Sequence, residues 1–405
     1  MKYDCDIIIA GGGLNGPALA LGLAAAGFDV AMIDSRADTA RAQSDFDGRG
    51  YALALASQRL LRAIGVWDQV ATHAQPMLEI KVTDGRAGEG PSPFLLHFDH
   101  AELESGPMGY MLEDRFLYRG FMDQVAMTPE ITSITEDAVV GQSVDPAGVT
   151  VTLASGRSLR ARLLVGCDGR QSGVAQRSGI RRTGWGYGQT ALVCAIDHEL
   201  PHEGIAHQFF MPPGPLAILP LPGNRSSIVW SETDAGAAQI QALDDAAYLD
   251  VLRPRFGDFL GEISLAGKRF SYPLSLSVAQ RFIADRVALV GDAAHGLHPI
   301  AGQGLNAGLR DVAALVQVLK EARQRGEDFA SGQVLERYAE WRQFDTNMLV
   351  AATDLTNKLF SNDNPLLRLG RDLGMGVINA MPSLRRGLMR EAAGLSRELP
   401  DLMRP

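Results

Sequence analysis

Two glycine-and-acid clusters in this 405-residue chain have the residue types and spacing to do chemistry. The first is Gly11-Gly12-Gly13-Leu14-Asn15-Gly16, which meets Gly-x-Gly-x-x-Gly at Gly11, Gly13 and Gly16. An acid, Asp34, follows about twenty residues on. Glycines let a backbone approach a pyrophosphate, a helix start turns its free N–H groups and positive dipole end toward it, and the carboxylate accepts from ribose hydroxyls. The second cluster lies within residues 285–311. There Gly291 and Asp292 end an apolar run, Pro299, Gly302 and Gly304 line a loop, and a helical stretch opens from about Leu305. A carboxylate at a strand end can hold sugar hydroxyls, and an uncapped helix start favours an electron-rich ring.

The elements around the first cluster fit that chemistry. Ile7 to Ala10 reads as a buried strand, Pro17 suits a helix start, and Ala18 to Ala26 continues as a helix stopped by Gly27. Val30 to Ile33 is a second strand, with Asp34 at its tip. This βαβ opening adds Leu14, Asn15, Ser35 and Arg36 to the candidate contacts; by itself it does not separate FAD from NAD. Further on, a helix is expected over Ala54 to Ile64, a hairpin within 76–107, a helix over Leu112 to Met122, and a strand pair at 149–153 and 159–165. Strand-like runs at 190–197, 205–211, 216–221 and 226–231, separated by Pro- and Gly-rich turns, predict an antiparallel sheet with few helices. Helices close the chain, the first with Val312, Leu315, Val316 and Leu319 on one face.

Composition narrows the function. A net charge of −9 argues against nucleic acid as a partner, and 46% hydrophobic residues supply an ample core. Cys5, Cys167 and Cys194 are scattered, which fits a reducing compartment and no disulfide framework. Neither a secretory signal nor an apolar run long enough to span a bilayer is evident, so a cytoplasmic protein is expected. His295 and His298 lack further ligands for a metal, and no nucleophile–histidine pattern supports hydrolysis. Residues 365–405 differ, with seven arginines against four acids interleaved with leucines. Such a basic amphipathic stretch serves membrane or partner docking as well as it serves packing on its own core.

The run His298-Pro299-Ile300-Ala301-Gly302-Gln303-Gly304, with Asn306, Gly308 and Asp311, resembles the motif of the ubiquinone-biosynthesis FAD-dependent monooxygenases without a mismatch. The resemblance extends over about residues 4–390. It implies FAD held by the two clusters, with Gly291, Asp292, Pro299, Gly302, Gln303, Gly304, Leu305 and Asn306 at the second. It adds Arg49 and Arg115 against the cofactor, and Asp168 within Asp168-Gly169-x-x-Ser172. It places Pro215, Leu216, Ala217, Leu219, Pro220 and Pro273 in the substrate pocket. Departures from the family pattern stand at Tyr118, where glutamine is usual, and Ala175, where arginine is usual.

The implied fold is α/β: an FAD-binding Rossmann-like domain with an inserted antiparallel substrate domain and C-terminal helices, similar to the aromatic hydroxylases. The expected division gives the FAD part residues 1–72, 108–182 and 278–350, the substrate part 73–107 and 183–277, and a helical region 351–405. The implied reaction is ring hydroxylation of a polyprenylated phenol with O₂ through a flavin C4a-hydroperoxide, electrons coming from NAD(P)H or a protein donor. No catalytic acid or base stands out, as expected where the cofactor carries the hard step. Peripheral contact with a membrane or a biosynthetic complex stays open. So do isoprenoid reduction and a non-catalytic flavin-binding subunit; halogenation is disfavoured, because Trp185 and Trp230 stand alone.

Overall fold

The computed structural model describes residues 2–37, 48–88, 90–103, 106–297, 302–360, 374–396 and 398–405. Pro299 and His298 lie outside the described residues, as do Leu366, Leu367, Arg368 and Arg371 of the basic stretch.

Short, fully apolar strands bury both faces only where helices cover a parallel sheet. That is what Ile7–Ala10, Val30–Ile33 and Leu163–Gly166 do, each buried at every position. They belong to a six-stranded sheet in the order Ile283–Ala284, Val287–Leu289, Leu163–Gly166, Ile7–Ala10, Val30–Ile33, Ile131–Ile134. All neighbours are parallel except the first pair. The helix Asn15–Ala25 covers the sheet and packs against the long helix Gln303–Gln324, where a Cβ on Gly22 would stand 3.0 Å from Val316 Cγ2. Pro17 sits inside the first turn, where its missing N–H has no helical partner to lose.

A second sheet has eight strands. In order they are His295–Gly296, Ile263–Ala279, Arg182–His198, Arg225–Thr233, Gly214–Leu221, Ile205–Met211, Glu79–Arg86 and Gly90–Asp99. Side chains alternate between its faces. Leu192, Cys194, Phe209, Leu216, Ile218, Ile228 and Trp230 form a core under the helices Asp234–Gln241 and Asp245–Phe256. The opposite face carries Ala206, Gln208, Phe210, Pro215, Ala217, Leu219, Val229 and Ser231, and it borders the large cavity described below. The fold is thus α/β with C-terminal helices, as the sequence implied, and the second sheet is antiparallel except where the hairpin strand Glu79–Arg86 joins Ile205–Met211 in parallel.

Three local expectations change. The run 159–165 is not one strand: Ser158–Ala161 pairs with Gly148–Leu153, while Leu163–Gly166 enters the six-stranded sheet. Leu112 is not helical: Gly109–Glu113 is a strand pairing with Gly50–Ala54 and Gln75–Met77, and the helix begins only at Asp114. Glu113 and Asp114 carry no apolar stripe back into that strand, so the helical period starts after them. Gln75–Met77 likewise joins this three-stranded sheet, while the hairpin proper is Glu79–Arg86 with Gly90–Asp99.

Candidate active site

The site begins at the tip of the first strand. Gly11 has φ +109°, and a Cβ there would meet the Cys167 carbonyl oxygen at 2.4 Å; a Cβ on Gly16 would meet the Gly11 carbonyl oxygen at 2.0 Å. Strand, turn and helix therefore cross at backbone contact, which only glycine permits. The helix start at Asn15 has no side-chain cap, so its first N–H groups face outward. Asp34 is nearly buried at the end of the second strand. Its Oδ2 accepts from Gly12 N at 2.8 Å and its Oδ1 from Arg36 N at 2.9 Å, which fixes the carboxylate across the turn.

The second half is held by a buried ionic cluster. Asp311, fully buried, accepts from Gly291 N at 2.9 Å, faces His295 Nε2 at 2.6 Å and accepts from Arg342 Nε at 2.7 Å. Burial alone would raise its pKa, but His295 and Arg342 outweigh that and hold the carboxyl below the usual range. Gly291 has φ +63°, and a Cβ on it would lie 2.0 Å from Asn15 Nδ2. A Cβ on Gly308 would lie 2.6 Å from the same atom. Gly291 and Gly308 thus make the slot for Asn15, and Asp311 pins one wall of it. Nearby, Asp168 Oδ2 accepts from Val174 N at 3.0 Å, and Ser172 caps the same short helix. Burial, and then Asp168 and Asp311, push the Cys167 thiol well above its ordinary value.

The long helix opens at Gly302, in the left-handed region with no side-chain cap, so its start also presents free backbone donors. Asn306 was expected at the cofactor as part of this helix start, and it lines the cavity, but its side-chain amide is engaged within the protein. Its Oδ1 accepts from Ala54 N at 2.9 Å and Ser57 Oγ at 2.7 Å, while Nδ2 donates to Ala52 O at 2.8 Å and Gly302 O at 3.0 Å. Every donor and acceptor of that amide is taken. Its role is to tie the helix start to the strand Gly50–Ala54.

These parts enclose one cavity of about 1010 Å³. It is lined by Gly11, Gly13, Leu14, Asn15, Asp34, Ser35, Arg36, Asp168, Asp292, Gly302, Gln303, Gly304, Leu305 and Asn306, and by Pro215, Ala217 and Leu219 of the sheet. Among the described residues, Asn15 Oδ1 and Asp168 Oδ1 are buried without a hydrogen-bond partner, and both belong to residues lining it. A glycine-bounded groove with a ribose-type acid, two uncapped helix starts and two unmatched acceptors fits a flavin dinucleotide.

Other expected residues lie elsewhere. Gly16 and Gly291 are packing positions rather than lining ones. Arg49 is 3.5 Å from Asp114 and lies over Phe270, because the buried Asp114 needs a countercharge. Arg115 pairs with Glu113 at 2.6 Å and stacks on Phe116. Neither arginine lines the cavity. Leu216 alternates to the core under the helices, Pro220 does not reach the cavity, and Pro273 is exposed. Sequence reasoning missed Arg170, which lines the cavity and bridges Asp292 at 3.3 Å and Leu297 O at 3.2 Å. It also missed Tyr51, Ala52 and Gln208. Arg170 stands inside the Asp168 motif, and strand alternation about Ala217 was the available signal for Gln208.

Residues 4–352 match the family described as FAD binding domain. Ubiquinone hydroxylase UbiL of Rhodospirillum rubrum is 44% identical over 402 residues, covering 98% of this chain and 92% of the relative. The chain belongs to the ubiquinone-biosynthesis FAD-dependent monooxygenases. Within that family, the 3-demethoxyubiquinol 3-hydroxylase of Escherichia coli is 36% identical over 394 residues, 96% of this chain and 98% of its own length. Among solved structures, p-nitrophenol 4-monooxygenase PnpA of Pseudomonas putida matches with TM-score 0.80 at 20% identity, over 98% of this chain and all of that one. That likeness extends the shared fold to both sheets.

Proposed function

We propose that the protein is an FAD-dependent monooxygenase that hydroxylates the aromatic ring of a polyprenylated phenol in ubiquinone biosynthesis. The supporting observation is the single cavity running from the glycine cradle to the apolar sheet face. At about 1010 Å³ it is at the upper end of ligand-site volumes, which suits a dinucleotide and a ring together. FAD, when bound, supplies the reduction of O₂ and the transfer of one oxygen atom to the ring. The chain binds, orients and excludes water. Gly11, Gly13 and Asp34 would hold the pyrophosphate and ribose. Asp168 and Asp292 would hold the middle of the cofactor, and the uncapped start at Gly302–Leu305 would stabilise negative charge on the reduced ring. Ile80, Val82, Phe98 and Phe210 would cover the aromatic substrate and its tail.

The expected division into discontinuous FAD and substrate parts is kept as part of this reading. So is peripheral membrane contact. Among the described residues no helix is long and apolar enough to cross a membrane. The helix Pro382–Ala392 nevertheless docks through Met389 and an Arg385–Glu102 pair of 2.8 Å, leaving Leu384 and Leu388, one turn apart, exposed beside Arg386 and Arg390. Apolar residues flanked by arginines suit an anionic lipid surface, where a prenylated substrate resides.

The test is turnover of the FAD-loaded protein with 2-farnesylphenol under ¹⁸O₂ and a chemical or nicotinamide reductant. One ¹⁸O atom in a ring-hydroxylated product is expected. Oxygen recovered wholly as hydrogen peroxide, or reduction of a prenyl double bond, would overturn the reading.

A further inference from the structure

Along the strand Ile205–Met211 the cavity is bordered by Ala206, His207, Gln208 and Phe210; His207 alternates toward Phe209 and Phe259, which leaves Gln208 as the polar side chain of the strand's cavity face. Ala206, Gln208 and Phe210 face the cavity there, as strand alternation requires. Gln208 is flanked by Val82 on one neighbouring strand and Ala217 on the other. Among the described residues its side-chain amide makes no hydrogen bond. Gln208 is half-buried, and an amide free of protein partners on a largely apolar cavity wall stands ready to bond a ligand there. Its position is also telling. Ala206, two residues earlier on the same face, packs in a cluster that includes Ile80, Leu219 and Ala52. Ala52 is the residue that a Cβ on Gly302 would touch, at 3.0 Å. Gln208 therefore stands about 7 Å along the strand from the wall beside the long helix start. Ser231 shares the sheet face but sits two strands away, against Gly214.

We propose that Gln208 is the residue that orients the substrate ring, its amide oxygen accepting from the ring hydroxyl and so selecting which carbon is presented for hydroxylation. This rests on the functional reading above and names the group within that site that sets position. An apolar wall alone grips a ring in several rotations at similar energy; a single directional bond breaks that degeneracy.

The experiment uses the full-length, FAD-loaded protein with two probes, 2-farnesylphenol and its methyl ether 2-farnesylanisole, titrated by perturbation of the flavin absorbance. The native protein is expected to bind the phenol roughly tenfold more tightly than the ether. Gln208→Leu, of similar volume, is expected to bind the two within about twofold, to give more than one ring-hydroxylated isomer and to release more hydrogen peroxide per O₂ consumed. Gln208→Asn, with a shorter arm, is expected to fall between. An unchanged preference with a single product in Gln208→Leu would overturn the proposal, as would loss of bound flavin in both variants, which makes Gln208 structural. Native protein that prefers the phenol but never hydroxylates it would overturn the functional reading and leave the assignment of Gln208 standing.

Discussion

The cavity has two walls that obey different physics. At the glycine cradle, backbone touches backbone: Gly11, Gly16 and Cys167 leave no room for a methyl group. At the sheet wall, side chains decide, and Ala206, Phe210, Ala217 and Val229 are apolar in an exchangeable way. A nucleotide diphosphate has fixed shape and charge, so its site is built from invariant backbone geometry. A prenylated ring offers surface rather than charge, so its site is built from volume. The first wall should break under substitution, and the second should retune.

The largest effect is expected behind the first wall. Asp311→Leu leaves His295 buried without its carboxylate and Arg342 with Asp345 alone, at 2.7 Å, and breaking such a buried cluster costs about 3–5 kcal/mol. A large drop in thermal midpoint is the measurement, and a drop no greater than that of an apolar swap in the sheet wall would erase the contrast. Because the carboxyl is held below its ordinary value, its contribution is present above about pH 4 and is lost as pH falls through its lowered folded-state pKa. Acid unfolding followed by circular dichroism should therefore begin at lower pH in the native protein than in Asp311→Asn.

Next comes Gly16→Ala, whose methyl would stand 2.0 Å from the Gly11 carbonyl oxygen. The helix must shift away from the strand, and the purified variant should be colourless, with FAD retention down by tenfold or more. Wild-type yellow protein from this variant would mean that the cradle is as tolerant as the sheet.

The smallest effect belongs to the outer surface. Leu384→Gln with Leu388→Gln should weaken sedimentation with anionic vesicles several-fold, from the lost burial of two leucines, while leaving turnover of a soluble short-chain phenol unchanged. Equal sedimentation of both proteins would remove the lipid surface from the account.

The first wall was legible in the sequence because glycine spacing and an acid at a strand tip report backbone geometry directly. Gly11, Gly13, Asp34 and Gly302 fall on the cavity as read. Arg49 and Arg115 did not, because an arginine's destination depends on which carboxylate is nearest: Asp114 reaches Arg49 through the pairing of Gly50–Ala54 with Gly109–Glu113, and Glu113 stands two residues from Arg115. Asn306 was identified but its role was not, since its four partners come from Ala52, Ala54, Ser57 and Gly302, three of them some 250 residues away. At the second wall, Pro215, Ala217 and Leu219 follow strand alternation, and the same rule sends Leu216 to the other side. An unbroken run of apolar residues hides that alternation, so Leu216 looked equivalent to its neighbours.

The amide of Asn306 has a mechanical consequence. It clamps the long helix to the strand Gly50–Ala54 from both its oxygen and its nitrogen, so those two elements travel as one piece. Any widening of the cavity at the start of the long helix must therefore carry the strand Gly50–Ala54 with it.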